Sequence, residues 1–278
     1  MSFYISEEAQ KLHKCQLLIA NEFKRICNKN GIKYFMIAGT LLGAVRHKGF
    51  IPWDDDMDFS ILRKDFDRFL EVAKTDLSDK FVLQYLNTDK HYGLPIAKIL
   101  LKDTVLVEKN TSKNKALKGI FIDIFPFDNI PNKLSDQKSH NRKTYFLKRL
   151  LLAKQNYTVA DSFKKKVVYA FLKFISLFTS KKCITSKLDN TLKLYQYEDT
   201  YKVAAIGGAY GYYKESVLKE WFSDTIELKF EESEFSAPIG YIEYLKYFYN
   251  DYMELPPEDK RYNRHNLLEL SFGPYDNI

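Results

Sequence analysis

The segment that most constrains the fold is a short stretch in which acidic and apolar residues alternate, Asp56-Met57-Asp58-Phe59. Successive side chains of a strand point to opposite faces, so the alternation predicts a strand over residues 56–62 with one apolar face. Asp56 and Asp58 then project from the same face, roughly 6.5–7 Å apart. Two such carboxylates repel each other unless a cation lies between them. The stretch is typical either of a cation site or of an acidic turn that caps a surface strand.

Neighbouring residues favour the cation site. Gly39 and Thr40 stand where a predicted strand meets a predicted helix, and the start of a helix offers backbone N–H groups to phosphate. A third acid, Asp123, lies in a second alternating strand over residues 119–125, where an unpaired buried charge would be costly. Mg²⁺, or Mn²⁺ in its place, binds oxygen ligands and leaves coordination positions for phosphate oxygens. These residues together predict a metal-dependent site for phosphoryl transfer.

Basic residues occur where they can neutralise phosphate. Arg46 and Lys48 lie between the predicted helix and the acids, and Lys98 interrupts an apolar strand. Lys98 has a second interpretation, a lysine at a strand edge whose amine reaches solvent. Lys260 and Arg261 belong to a charged segment that is otherwise typical of a solvated surface. The net charge of +7 fits anionic partners, but it does not choose among a nucleotide, a polyphosphate lipid, a membrane and nucleic acid.

The run from Gly39 to Asp58 resembles the signature of the LicD family, phosphotransferases related to the fukutin group. Residues 95–98, the strand that ends at Asp123 and the tail 252–261 resemble the family too. The resemblance implies an α+β fold, in which a nucleotidyltransferase-like mixed β-sheet is flanked by helices and carries a helical insertion. It implies transfer of a phosphorylated alcohol, typically phosphocholine from CDP-choline with release of CMP. The implied acceptor is a glycan precursor of a lipopolysaccharide, capsule or teichoic acid, and it is lipid-linked in some cases.

By the same resemblance, each candidate residue has a role. Asp56, Asp58 and Asp123 hold the metal, and Asp123 alternatively takes the proton of the acceptor hydroxyl. The candidates for binding nucleotide and phosphate are Gly39, Thr40, Arg46, Lys48, Lys98, Lys260 and Arg261. A quaternary ammonium is recognised by aromatic faces, so the candidates for contact with choline are Trp53, Tyr210 and Tyr212. The glycine-rich segment around the two tyrosines is equally typical of an ordinary turn.

The chain of 278 residues is predicted to have three parts. These are a catalytic core over residues 1–130, a helical insertion over 131–200, and a C-terminal part over 201–278 that completes the active-site cleft. The three cysteines show no disulfide or zinc spacing, and we find neither a secretory signal nor an apolar run of about 20 residues. These features predict a cytoplasmic protein.

Within the insertion, lysines at 164–166 and 181–182 bracket a mostly apolar run over 167–179. One interpretation is a buried core helix with basic ends. The other is an interfacial helix on an anionic membrane, which predicts peripheral contact with the inner face of the cell membrane.

Other functions remain open at this stage. One is a basic nucleic-acid-binding protein without catalysis, although acids at the centre of the motif would repel a phosphate backbone, so we expect no nucleic-acid partner. Another is a nucleotidyltransferase that adds a nucleotide to a small molecule or RNA, for which pyrophosphate would replace CMP as the released product. A third is a transferase that uses CDP-glycerol or CDP-ribitol in place of CDP-choline.

Overall fold

The structure, a computed structural model, describes residues 6–158, 162–262 and 266–278. The strands are β1 (Phe35–Met36), β2 (Asp58–Leu62), β3 (Phe81–Gln84), β4 (Ala97–Leu101), β5 (Val105–Glu108), β6 (Phe121–Ile130), β7 (Lys202–Ala204), β8 (Ser216–Leu218), β9 (Thr225–Phe230), β10 (Ser233–Pro238) and β11 (Leu267–Ser271). The helices are α1 (Glu7–Lys29), α2 (Ala38–Arg46), α3 (Arg63–Asp76), α4 (Leu134–Lys154), α5 (Phe163–Leu177), α6 (Lys181–Leu192) and α7 (Tyr241–Tyr249).

A seven-stranded mixed sheet forms the centre of the molecule. Its main path runs in the order β1-β2-β6-β4-β3, and β7 continues from the far end of β6 to β8. β2 and β6 are parallel, while the other pairs of this sheet are antiparallel. Two further pairs join β9 to β10 and β5 to β11. A mixed sheet flanked by helices confirms the predicted α+β class.

The register of three neighbouring strands places charged residues in one row. Asp58 of β2 lies opposite Asp123 of β6, and Asp123 lies opposite Lys98 of β4. Residues that are directly opposite each other on adjacent strands project to the same face of a sheet. The opposite, apolar set of β6, which includes Ile122 and Ile124, is fully buried.

Helix α1 covers part of the sheet and contacts β4 and β6. Its buried apolar residues recur at helical spacing, as with Leu12, Ile19 and Phe23, so one side of the helix faces the core. Ser6 is the N-cap of this helix, and its Oγ accepts a hydrogen bond from the Ala9 N–H group at 3.1 Å. The same helix also contacts the acidic residues Asp54 and Asp55 that precede β2.

The start of β2 differs from the sequence prediction. The strand begins at Asp58 rather than at residue 56, so Asp56 belongs to the irregular segment that precedes it. The reason is that the Asp58 N–H group donates to Oγ1 of Thr40 at 2.8 Å, and the pairing with β1 is limited to Phe59 and Ser60.

Helices α4, α5 and α6 form the insertion, with α4 in contact with both others. The interpretation of residues 167–179 as a buried core helix is wrong. Only Leu172 and Ser176 of α5 are buried, because the helix packs one narrow face on α4 and turns the rest to solvent. Among the described helices, none combines the length and apolar character needed to cross a bilayer.

Candidate active site

A pocket of about 170 Å³ lies at the row of charged residues on the central strands. Three residues predicted from the sequence, Asp56, Asp123 and Lys98, meet in this pocket. The full set of described lining residues is Asp56, Leu94, Lys98, Glu108, Asn110, Thr111, Phe121, Asp123 and Tyr157. Asp58 is their neighbour in the sheet through its register with Asp123.

The acidic turn ahead of β2 gathers carboxylates. One carboxylate oxygen from each of Asp54, Asp55 and Asp56 lies within 4.8 Å of the others. Helix α1 fixes the backbone of the turn: His13 Nε2 donates to the Asp54 carbonyl at 2.8 Å, and Gln16 Nε2 donates to the Asp55 carbonyl at 2.6 Å. The turn is therefore held in position from outside the acid cluster.

The cluster perturbs the titration of Asp56. Burial raises the pKa of Asp56 well above its ordinary value, and the negative charges of Asp58, Asp54, Asp55 and Asp123 raise it further. Repulsion of this kind is relieved by protonation or by a bound cation. The available donors are carboxylate oxygens, which is the donor set that suits Mg²⁺ or Mn²⁺.

Lys98 and Asp123 form an ion pair in the pocket. Lys98 Nζ lies 3.1 Å from Asp123 Oδ1 and 3.1 Å from the centroid of the Phe121 ring. The side chains of Lys98 and Asp123 are only 10% and 14% exposed. The interpretation of Lys98 as a strand-edge lysine is wrong, since β4 lies between β3 and β6 inside the sheet.

Gly39 and Thr40 join α2 to the acidic turn. Thr40 is buried and its Oγ1 is the acceptor that holds the N–H group of Asp58. A side chain at position 39 would displace the Asp54 carboxylate, because its Cβ would lie 2.4 Å from Asp54 Oδ2. The two residues thus border the acids, and their contact with phosphate stays a prediction.

Arg46 and Lys48 have other contacts in the structure. Arg46 Nη1 donates to the carbonyl oxygens of Tyr252 and Glu254, each at 3.0 Å, and so holds the C-terminal segment on α2. Lys48 is exposed, has a φ of 62°, and accepts a hydrogen bond at its carbonyl from the Glu231 N–H group. Neither is among the described residues that line the pocket, and their roles in phosphate binding stay predictions.

The C-terminal segment returns to the acidic turn at Trp53. The guanidinium carbon of Arg261 lies 5.9 Å from the centroid of the Trp53 ring, and the His47 ring packs edge-on against Trp53 at 6.2 Å. Lys260 is exposed at the end of a short 3-10 helix, Glu258–Lys260. Arg261 and Trp53 are therefore brought together near the acids, and their contacts with phosphate and choline stay predictions.

The two candidate tyrosines have different environments. Tyr212 is buried, and its hydroxyl is hydrogen-bonded to His140 Nδ1 of α4 at 2.8 Å. Tyr210 is 53% exposed, with its ring 5.7 Å from that of Phe248. Neither is among the described residues that line the pocket.

Six of the described lining residues were not predicted as site residues from the sequence: Leu94, Glu108, Asn110, Thr111, Phe121 and Tyr157. Asn110 is held by its carbonyl, which accepts from the Thr158 N–H group at 2.7 Å. The Tyr157 hydroxyl accepts from the Gly93 N–H group at 3.2 Å. Of these residues only Glu108 has a signal in the sequence, because it is the single acid that follows the apolar run Val105-Leu106-Val107.

The fold is a mixed sheet of the nucleotidyltransferase type, and acids from β5, β6 and the turn before β2 face its pocket. The profile of the family described as "LicD/FKTN/FKRP, nucleotidyltransferase domain" matches residues 31–165, which include the whole row of charged residues and the pocket lining.

A full-length relative extends this match. The chain is 32% identical over 263 residues to the lipopolysaccharide cholinephosphotransferase LicD of Haemophilus influenzae, which covers 90% of this chain and 92% of that protein. Shorter matches are to uncharacterized proteins of Rickettsia typhi (42% over 69 residues, 25% of this chain and 22% of that one) and Rickettsia prowazekii (58% over 40 residues, 14% and 15%). The chain belongs to the LicD family, as the resemblance of its motif predicted.

Proposed function

We propose that this protein transfers phosphocholine from CDP-choline to a hydroxyl group of a cell-surface glycan precursor and releases CMP. The observation that carries the proposal is the pocket in which Asp56, Asp123 and Lys98 meet. The name of the Haemophilus relative, a lipopolysaccharide cholinephosphotransferase, supplies the substrate class.

The reaction makes one bond to phosphorus and breaks one. The oxygen of the acceptor hydroxyl bonds to the phosphorus that carries choline, and the bond from that phosphorus to the bridging oxygen breaks. CMP leaves with the electron pair of the broken bond. We assign Asp123 to accept the hydroxyl proton, because its carboxylate lies in the pocket and Lys98 holds it at 3.1 Å.

The acids also fit a divalent cation. With Asp123 assigned as the base, Asp56 and Asp58 would hold Mg²⁺ or Mn²⁺, and Asp54 and Asp55 place further carboxylate oxygens within 4.8 Å of one from Asp56. Such an ion, when bound, neutralises negative charge on the diphosphate and on the leaving CMP. The raised pKa of Asp56 supports this assignment, since crowded carboxylates attract a cation.

The pocket lining contains two groups that suit choline as the transferred alcohol. Glu108 provides a carboxylate and Tyr157 provides an aromatic ring, whereas the Phe121 ring has Lys98 over it. A quaternary ammonium makes no ordinary hydrogen bond and is recognised by negative charge and aromatic faces. A polyol would instead be recognised by hydrogen-bonding side chains, and the lining offers Asn110 and Thr111 for that purpose, so a direct comparison of donors decides between the two.

A comparison of donors tests the proposal. The protein, with Mg²⁺ and glycolipids extracted from the cells that encode it, is given CDP-choline, CDP-glycerol, CDP-ribitol or CTP, and CMP, phosphocholine and pyrophosphate are measured. We expect CMP from CDP-choline. A preference for a polyol donor of about tenfold or more, about 1.4 kcal/mol, would overturn choline. Release of phosphocholine in place of CMP, or of pyrophosphate from CTP, would overturn phosphoryl-alcohol transfer altogether.

A single substitution tests whether Glu108 recognises choline. Glu108→Gln should raise KM for CDP-choline by about fivefold to tenfold, the equivalent of about 1 kcal/mol, and leave KM for the acceptor unchanged. Glu232→Gln, at an exposed position, is the control. An equal KM for CDP-choline in both variants would exclude Glu108 from donor recognition.

We further propose that the acceptor is lipid-linked and that transfer occurs at the cytoplasmic face of the membrane. The three cysteines are free, with Cys15 and Cys27 buried, which fits a reducing compartment.

A further inference from the structure

Helix α5 presents an apolar stripe to the outside of the molecule. Phe163, Phe171 and Phe174 are 80%, 62% and 59% exposed, and Phe178, which caps the helix, is 77% exposed. Together with Val167 they recur every three or four residues, so they share one side of the helix. Most exposed apolar residues on a protein surface are scattered singly, whereas a continuous stripe marks an interaction surface.

The opposite side of α5 carries the hydrogen bonds that hold the helix on α4. Lys154 Nζ donates to the Ser176 carbonyl at 2.7 Å, and Ser176 itself is buried. Lys173 donates to Oδ1 of Asn156, just beyond the end of α4. Buried Leu172 completes this inner face. The helix is therefore fixed to the protein with its phenylalanines pointing away from it.

The charge around the stripe has a single sign. Between Ser162 and Leu188 the sequence contains seven lysines and no acidic residue. Lys164, Lys165 and Lys182 are exposed at the two ends of the stripe. Two lysines of the set have contacts within the protein, because Lys173 donates to Asn156 and Lys181 donates to the carbonyl oxygens of Leu86 and Asp89.

We propose that the outer face of α5 docks on an anionic lipid surface, with the phenylalanines in the headgroup region and the flanking lysines on lipid phosphates. An amphipathic helix with aromatic residues on one side and lysines beside them binds membranes in this way, parallel to the surface. At 15 residues, α5 is about 22 Å long and lies flat rather than spanning the bilayer.

A second copy of the chain fits this face less well than lipid does. A symmetric contact pairs the same patch on both subunits. The lysines that flank one stripe would then face the lysines of the other, without an acid between residues 162 and 188 to pair them. An anionic membrane supplies the missing negative charge, at about 1 kcal/mol for each lysine near the surface.

The stripe begins close to the pocket along the chain. Tyr157 lines the pocket and α5 begins at Phe163, six residues later. Six residues span at most about 20–22 Å. A membrane-bound α5 therefore keeps the pocket within a short distance of the lipid surface, where a lipid-linked acceptor lies. This last step depends on the proposed function, whereas lipid docking itself does not.

Vesicle flotation tests the docking, without nucleotide or acceptor. The protein is mixed with vesicles of phosphatidylcholine alone or with phosphatidylglycerol added, at about 0.1 M salt. We expect binding at least about tenfold stronger to the anionic vesicles, and a loss of about tenfold or more in the double variant Phe171→Ser and Phe174→Ser. Tyr197→Ser with Tyr201→Ser, exposed aromatic residues elsewhere, is the control and should bind as the wild type does.

The lysines are tested separately. Lys164→Gln with Lys165→Gln should reduce binding to anionic vesicles, whereas Lys64→Gln with Lys80→Gln, exposed lysines elsewhere, should not. Thermal melting establishes that each variant is folded.

Equal binding by the phenylalanine variant and the wild type would overturn the proposal. So would a wild-type dimer in sedimentation that the phenylalanine variant converts to monomer, because that result assigns the face to a second copy. Asp56→Asn should bind vesicles normally, which separates docking from transfer.

Discussion

Strand β6 and helix α5 both depart from the usual arrangement of polar residues outside and apolar residues inside, in opposite directions. β6 carries Asp123 and Asp128 within the central sheet, and α5 carries a row of phenylalanines on its outer face. Each departure costs stability when it is left uncompensated, because a buried charge needs a partner and exposed apolar surface needs cover. The two regions differ in where the compensation comes from. Acids of β6 pair with basic residues inside the molecule, whereas the proposed partner of α5 is a lipid surface outside it.

A second contrast lies within β6 itself. Asp128 is fully buried and accepts two hydrogen bonds from Arg63, at 2.6 and 2.9 Å. Asp123, five residues earlier, faces the pocket with one lysine beside it and a group of like charges nearby. We therefore expect the acids at the pocket to matter for turnover and Asp128 to matter for stability.

The largest effect should come from removing a pocket acid. Asp56→Asn should lower the rate of CMP release by at least about 1000-fold, about 4 kcal/mol of barrier, because it removes a carboxylate at the reacting diphosphate. Asp79→Asn, at an exposed position, is the control. Activity above about one tenth of the wild type would exclude a primary role, since that loss is only about 1.4 kcal/mol.

The same variant should not be destabilised in a chelator. A pKa raised in the folded state means that the contribution of Asp56 to stability is present at acidic pH and is lost as pH rises through the folded-state pKa. Asp56→Asn should therefore melt at or above the wild-type temperature at neutral pH, and Mg²⁺ should stabilise the wild type more. A variant that melts well below the wild type would assign Asp56 a structural role.

Asp128→Asn should show the opposite behaviour. It leaves the buried Arg63 without its charged partner, which should lower the free energy of unfolding by about 3–5 kcal/mol. Asp67, which also contacts Arg63 but is more exposed, provides the matched control, and Asp67→Asn should cost much less. Urea denaturation measures both. A small loss for Asp128→Asn, or one no larger than the control, would contradict the assignment of this acid to the scaffold.

Glu215, another buried acid, allows the effect of burial to be tested through the pH dependence of stability. Burial raises its pKa to about 7, although it accepts from the Tyr210 N–H group and lies near Lys148. Its contribution to stability is full below about pH 4.5 and is lost as pH rises through about 7, a span worth up to about 3 kcal/mol. Glu215→Gln should therefore gain stability relative to the wild type between pH 5 and 8, within about that limit. A difference in unfolding free energy that does not change with pH would show that Glu215 titrates normally.

The smallest effects distinguish the two faces of α5. Leu172→Ala should cost about 2 kcal/mol of unfolding free energy, because Leu172 is buried against the protein. Phe171→Ala, at the next position, should change stability by less than about 0.5 kcal/mol, since its side chain is exposed. Equal losses would mean that α5 buries both faces, and they would remove the basis for lipid docking.

The positions of the charged residues around the pocket were largely predictable from single strands. Asp123 and Lys98 stood out because each charge interrupts an apolar strand, and Asp56 and Asp58 stood out by alternation. Both signals are local. The same local pattern placed the start of β2 two residues too early, because the bond from Asp58 to Thr40, across 18 residues, has no sequence signature.

The rest of the pocket depends on contacts between distant parts of the chain. Glu108 is positioned by the pairing of β5 with β11, whose register sets it opposite Leu267. Tyr157 reaches the pocket from the helical insertion, which contains none of the segments that carry the family resemblance. The exposed face of α5 was equally hidden, since an amphipathic sequence shows that a helix has an apolar side and not which way that side points.

The most direct measurement follows the choline and the nucleotide together. CDP-choline labelled in its choline methyl groups is incubated with Mg²⁺ and extracted envelope glycolipid, and both CMP and label in the glycolipid are measured. We expect the wild type to release CMP and to transfer labelled choline in equal amounts, and Asp56→Asn to do neither. Label that stays out of the glycolipid while CMP is released, or equal transfer by the variant, would contradict phosphocholine transfer at the acidic pocket.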